Sequence, residues 1–173
     1  EIMPKSPLQL SRDKIQNICD YLDQEDHRAI KNCFLEKFFL CEIVYKELLK
    51  YYFKSKNRKY REDDLKLSMY WIPKVISHFN ISIDMQSLKA IFSTANEFKK
   101  RGAKSARILR NGIVHNLNIQ DIGEVVDKHE YLFQILDIFL SKIEEAAALI
   151  DTTEVKKNST EEHTAEEKLL AIG

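Results

Sequence analysis

A chain of 173 residues is long enough for one domain with a hydrophobic core and too short for two comfortable ones. Hydrophobic residues make up 44% and charged residues 31%, and only 4 Gly and 3 Pro occur, too few for the many tight turns of a sandwich or barrel. Net charge is zero, so bulk charge points to no partner, and no apolar run reaches the roughly 18 residues that would span a membrane.

The opening, Glu1-Ile2-Met3-Pro4-Lys5, lacks the apolar core of a signal peptide, and its first residue reads as that of a processed or excised piece. Ser11 to about Gln24 is the first expected helix, with Ile15, Ile18, Cys19 and Leu22 on one face. Asp26 is suited to cap a second helix running to about Lys54. Its apolar residues Ile30, Phe34, Phe38, Cys41, Tyr45, Leu48 and Tyr52 recur every three or four positions. A loop from Ser55 to Arg61 follows. Asp63 or Asp64 starts a segment that Pro73 interrupts, unless Pro73 itself opens a short helix ending near Phe79. Ser82 or Asp84 caps the next.

From Leu88 the apolar or small positions are Ile91, Ala95, Phe98, Gly102, Ala106, Leu109 and Ile113, so one helix with a packed glycine and two helices in line both fit. A polar turn from Asn116 to Asp121 precedes a last long helix from about Ile122 to Ile150, carrying Val125, Val126, Leu132, Ile135, Leu136, Phe139 and Ile143. Residues 151–163 are polar and expected to be mobile, and Thr164 has the capping-box pattern for a short terminal helix over Lys168 to Ile172. The expected fold is therefore all-α, an up-and-down bundle of four to five helices over residues 1–150. An acidic polar tail, 151–173, ends in that short helix.

Cys19, Cys33 and Cys41 form no C-x-x-C pair and read as reduced thiols of a cytoplasmic protein. No phosphate loop, nucleophile elbow or H-E-x-x-H motif occurs, and the histidines have no ligand partners at fixed spacing, so no metal or cofactor is expected. Charge is unevenly placed. Lys54, Lys56, Arg58, Lys59 and Arg61 form one acid-free basic stretch, and Lys99, Lys100, Arg101, Lys104, Arg107 and Arg110 form another. Such asymmetry suits an anionic ligand.

The second stretch leads into Ser105-Ala106-Arg107-Ile108-Leu109-Arg110-Asn111-Gly112-Ile113-Val114-His115-Asn116-Leu117. Cleaving RNA without metal requires taking the 2′-hydroxyl proton, protonating the leaving 5′-oxygen and stabilising charge on the phosphorane. A histidine with a pKa of about 6.5 serves either proton transfer at neutral pH. An arginine fork binds two phosphate oxygens, and Asn111 can donate to phosphate or orient the imidazole. Residues five apart on a regular helix point about 140° from each other. Arg110 and His115 therefore converge within one chain only if the helix ends or distorts, for which Gly112 is the natural point.

At these residues the chain resembles the HEPN superfamily, whose signature is R-x4-6-H with a polar residue favoured after the Arg. Leu109-Arg110-Asn111, Val114-His115 and Ile119-Gln120-Asp121 look most like HEPN toxins paired with minimal nucleotidyltransferase antitoxins, although Leu117 stands where that subgroup often has Tyr. The resemblance implies a helical bundle, a homodimer with facing motifs, and metal-independent endoribonuclease activity in a toxin, antiphage or RNA-processing role. It also implies a cognate antitoxin or regulatory protein. Catalytic roles then fall to Arg110, His115 and Asn111, with Glu97 as an acidic helper and Lys100, Lys104 and Arg107 guiding RNA; Lys54 to Arg61 is the next candidate path. The competing readings are a non-catalytic HEPN module that binds a protein or nucleotide, and a plain helical scaffold.

Overall fold

The computed structural model describes residues 2–94 and 103–172, in which seven α-helices and no strand occur. The helices are α1 (Pro7–Leu22), α2 (His27–Ser55), α3 (Ile72–His78), α4 (Met85–Phe92), α5 (Ala106–Asn116), α6 (Ile119–Asp127) and α7 (His129–Leu170), with a short 3₁₀ turn at Glu62–Asp64 before α3. The all-helical bundle is as expected, with more and differently bounded helices than four or five.

The centre is α2, which packs against α1, α3, α5, α6 and, most extensively, α7. Its stripe of Phe34, Phe38, Cys41, Tyr45, Leu48 and Tyr52 is buried, as the spacing predicts, and Leu49 and Phe53 are buried beside it. From α7 come Leu132, Leu136, Phe139 and Ile143, and the Phe92 and Phe139 rings meet edge to face at 4.9 Å between centroids. Burying each such aromatic or aliphatic side chain contributes about 1.5–3 kcal/mol, so this seam fixes the fold.

Several boundaries differ from expectation for identifiable reasons. α1 starts earlier because Ser6 and Gln9 form a reciprocal capping box, with Gln9 N–H donating to Ser6 Oγ at 3.2 Å and Ser6 N–H to Gln9 Oε1 at 2.9 Å, and Pro7 follows as the first helical residue. Only its far end reaches the core: Ile18 and Leu22 are buried, whereas Ile15 and Cys19 are exposed. Asp26 stands before α2 without a side-chain capping bond. Pro73 sits in the first turn of α3, where its missing N–H has no helical partner to lose. Asp84, not Ser82, caps α4 by accepting from Ser87 N–H at 2.8 Å.

Residues 93–94 and 103–105 are not helical, so α4 and α5 are separate helices. Ala95, Phe98 and Gly102 of the predicted stripe lie outside the described residues. The final helical region is broken at Lys128, giving α6 and α7, and α7 then runs unbroken through residues 151–163, which were expected to be mobile. That extension contains neither Gly nor Pro, and Thr152, Thr153, Thr160 and Thr164 each return their hydroxyl to the carbonyl four residues earlier.

Candidate functional site

The motif lies on α5, whose two ends are pinned. Ser105 caps the start, accepting from Ile108 N–H at 3.2 Å and donating its hydroxyl to the Ser93 carbonyl at 2.6 Å; both serines are buried. The helix is continuous through Gly112 to Asn116. It ends at Leu117, a non-glycine residue at φ 46°, whose N–H donates to Ile113 O at 2.9 Å. Asn118 then caps α6 through Gln120 and Asp121 N–H at 3.0 and 3.1 Å. The reversal from α5 to α6 is thus two residues long.

This corrects the expected role of Gly112. The glycine makes no bend. It makes room: a Cβ built there would lie 1.8 Å from Asp121 Oδ2 and 2.9 Å from its Cγ. Asp121 is buried against the glycine face of α5 and accepts a hydrogen bond from Lys104 Nζ. Because α5 stays regular, the directions of Arg110 and His115 differ by about 140°, with Val114 and Asn111 between them on the outer face.

Arg110 leans onto α2. Its guanidinium lies 4.8 Å from the Phe38 ring centroid and 5.7 Å from that of Phe39, and Nη2 is 3.8 Å from Glu42 Oε2. That separation is an ion pair rather than a hydrogen bond. Glu42 is shared with Lys46 at 3.0 Å. Arg110 Nε is buried with no acceptor among the described residues. Burial pulls the Arg110 pKa below the usual arginine value, Glu42 opposes that, and nearby Arg107 adds to it; the group stays a cation at neutral pH. The result is a guanidinium stacked on aromatic rings with donor capacity left over.

His115 is exposed in the last turn, and Asn111 is half-buried one turn before it. Neither side chain makes a hydrogen bond among the described residues. Arg107 and Lys104 are otherwise engaged: Arg107 Nη1 donates to the Leu67 carbonyl and, at 3.4 Å, to that of Phe92, tying the segment before α3 and the end of α4 to α5. Lys104 holds Asp121. Both therefore have structural partners that would compete with phosphate. Glu97 and Lys100 lie outside the described residues. Sequence spacing did not find Glu42, Phe38 and Phe39, which complete the Arg110 environment from another helix; the (i, i+4) pair Phe38–Glu42 at the edge of the α2 stripe was the available signal.

Apolar surface flanks the arginine. Val114 on α5, Leu117 just past its end, and Phe39 and Ile43 on α2 are exposed, Ile43 by 60%. No cluster of three His, Cys, Asp or Glu side chains among the described residues is placed to hold a metal ion. No helix of the described residues is long and apolar enough to cross a membrane. No family model, curated protein or solved structure matches the chain.

Proposed function

We propose that this chain is a HEPN-type, metal-independent endoribonuclease of a cytoplasmic toxin or antiphage system, with Arg110 and His115 as its catalytic pair and a cognate antitoxin or regulator as its partner. The observation that carries the reading is the under-satisfied Arg110 guanidinium, stacked on Phe38 with a buried Nε lacking an acceptor, on the same helix as a half-buried Asn111 and an exposed His115. A phosphodiester meeting the open part of the guanidinium supplies acceptors that the distant Glu42 carboxylate does not.

In the proposed reaction the 2′-oxygen forms a bond to phosphorus while its proton passes to a base, and the P–O5′ bond breaks as the 5′-oxygen takes a proton. Arg110 stabilises the charge on the equatorial oxygens. His115 serves one proton transfer, and its exposure leaves it free to meet substrate. Asn111, between the two, donates to a phosphate oxygen. The divergence of Arg110 and His115 on a regular helix leaves one chain short of a converged site. The exposed Phe39, Ile43, Val114 and Leu117 beside Arg110 favour a second copy of the chain as the covering partner, which would bring a second His115 to the cleft.

One observation favours the non-catalytic alternative, an HEPN module that binds a protein or nucleotide: no side chain among the described residues orients the His115 ring. The test is incubation with total RNA in EDTA beside Arg110→Ala and His115→Ala, each checked for retained helicity by circular dichroism. The expected result is cleavage by wild type alone, leaving 2′,3′-cyclic phosphate and 5′-hydroxyl ends. Strict Mg²⁺ dependence, 5′-phosphate products, or undiminished cleavage by His115→Ala overturns the mechanism, and binding without cleavage selects the module.

A further inference from the structure

The first basic stretch is part of a built feature. Where α2 ends, a cavity of about 630 Å³ is lined by Lys50, Tyr51, Lys54, Arg58, Lys59 and Tyr60, with Glu47 as the one carboxylate on its wall among the described residues and Asp151 accepting from the Tyr51 hydroxyl at 3.4 Å. Lys50 pairs with Glu47 at 2.6 Å. Arg58 and Lys59 have no carboxylate partner among the described residues. The Arg58 guanidinium is instead laid on Trp71, 4.6 Å from the ring centroid, and near Phe53 at 5.4 Å. Stacking of that kind holds the plane of the cation still while leaving its edge donors facing outward. Tyr60 packs against Phe53 at 5.7 Å between centroids and remains 40% exposed, so one ring face is anchored and part of the ring is open.

A second cavity of about 410 Å³ is lined by Tyr52, Lys56, Lys74 and His78 among others. Lys74 sits 5.5 Å from the Trp71 centroid and 3.7 Å from that of the exposed Tyr70. Two neighbouring cavities, each combining cations with an aromatic ring, suit an extended polyanion that carries flat bases better than a compact mononucleotide. Alternating phosphate contacts and stacking platforms are what single-stranded nucleic acid requires.

The cavity also connects to the motif. Lys46, Lys50 and Lys54 stand four residues apart along α2, each advanced by about 40° from the last, and so form a shallow cationic track. Its near end is Glu42, beside Arg110, and about 18 Å of helix separates Glu42 from Lys54. The Glu47–Lys50 pair along it lies at the surface, weak enough for phosphate to displace, whereas Glu42, whose side chain is 18% exposed, holds Lys46 at 3.0 Å.

We propose that this basic and aromatic end of α2 is a binding site for single-stranded RNA, with phosphates on Lys50, Lys54, Arg58 and Lys59 and a base stacked on Tyr60. The identity of the ligand as RNA rests on the ribonuclease reading; the cavity and its chemistry do not. A strand seated there runs along the lysine track toward Arg110, so the cavity sets which end of a substrate is held while a phosphodiester a few nucleotides away meets the motif.

The test is fluorescence anisotropy of wild-type protein with a labelled, uncleavable 2′-O-methyl single strand across a salt series, so that binding is read without chemistry. Lys50→Gln/Lys59→Gln removes one half-buried and one exposed cation and should weaken binding about tenfold or more near 0.1 M salt. It should also flatten the log–log salt slope by about 1.4, the value for two lost phosphate contacts on a single strand. Tyr60→Ala should cost about fivefold or more, the lower end for one stacked base. A polyglutamate competitor of equal charge should displace the strand poorly, because it has nothing to stack. An unchanged slope in the double variant, no binding by wild type, or polyglutamate competing as well as RNA together with a silent Tyr60→Ala overturns the proposal, the last pointing to an acidic protein partner. If wild type binds as expected but never cleaves RNA, the ribonuclease reading falls and the binding site stands. If RNA is cleaved while the double variant binds like wild type, the reverse holds.

Discussion

Gly112→Ala is the sharpest test of how α5 is built. In an ordinary helix interior the change stabilises by about 1 kcal/mol through backbone propensity. Here the new methyl would lie 1.8 Å from Asp121 Oδ2 and 2.9 Å from Cγ. The obstacle is a short side chain, buried and tied to Lys104, at the start of a helix whose cap fixes its backbone. Asp121 must therefore be pushed out of its place or α6 moved off α5, and overpacking of this kind costs about 1–3 kcal/mol, with a further 1 or so for the disturbed hydrogen bond. The net expectation is destabilisation by about 1–3 kcal/mol, seen as a fall in Tm of roughly 3–10 °C for a chain of this size. Removing the obstacle should reverse the sign: in an Asp121→Ala background, Gly112→Ala should stabilise by about 0.5–1 kcal/mol. Urea unfolding of the four proteins of the cycle measures this. A neutral or stabilising Gly112→Ala in the wild-type background, or an equal change in both backgrounds, would refute the close-approach role.

Three further outcomes are expected. Arg107→Gln loses the donor to the Leu67 and Phe92 carbonyls and should destabilise by about 1–3 kcal/mol in urea melts, where an unchanged midpoint would show the tie to be unimportant. Burial pushes the Cys41 thiol up to about 12 and raises Tyr45 above its ordinary value. Both groups deprotonate first in the unfolded chain, so stability is complete below about pH 8.5 and should fall as pH rises toward 12, by up to about 1.4 kcal/mol per pH unit and group. Urea midpoints from pH 7 to 10.5 that stay level would contradict this, and Tyr45→Phe, which also removes a buried hydroxyl lacking a partner, should raise stability by about 1 kcal/mol and soften the decline above pH 10. Deleting residues 156–173 should shift Tm by no more than about 2 °C, since residues 156–172 are exposed; a larger drop would mean that the extension packs on something.

The parts of the fold legible in the sequence are those where one face of a helix is covered along its whole length. The α2 stripe from Phe34 to Tyr52 and the α7 positions Leu132, Leu136, Phe139 and Ile143 follow the 3.6-residue period because each meets the other across the core. Where coverage is partial the same pattern misleads. Ile15 and Cys19 share a face with Ile18 and Leu22, yet α1 reaches past the edge of the bundle, and periodicity carries no information about where the neighbouring helix ends. The break at Lys128 involves neither Gly nor Pro, so composition offered no sign of it. The extension of α7 was hidden for the opposite reason: threonines that favour turns in isolation instead close onto the preceding helical turn.

The candidate site shows the same division between what residue type and spacing carry and what only packing supplies. Arg110, Asn111 and His115 are recognisable from chemistry and order alone, since phosphate recognition and proton transfer at neutral pH favour those residue types. Sequence distance cannot state direction once Gly112 has two meanings. As a hinge, glycine would have folded His115 back toward Arg110; as a missing side chain, it lets Asp121 approach and keeps α5 straight. The straight helix separates the two functional groups by about 140°. It turns Arg110 toward Phe38, Phe39 and Glu42 and leaves His115 exposed. Any chemistry that uses both must therefore be completed from outside the chain, by a substrate wide enough to lie across Val114 and Asn111 or by a second subunit. The same glycine that lets α6 pack against a straight α5 thus leaves the proposed activity to be completed by the substrate's width or by a second subunit.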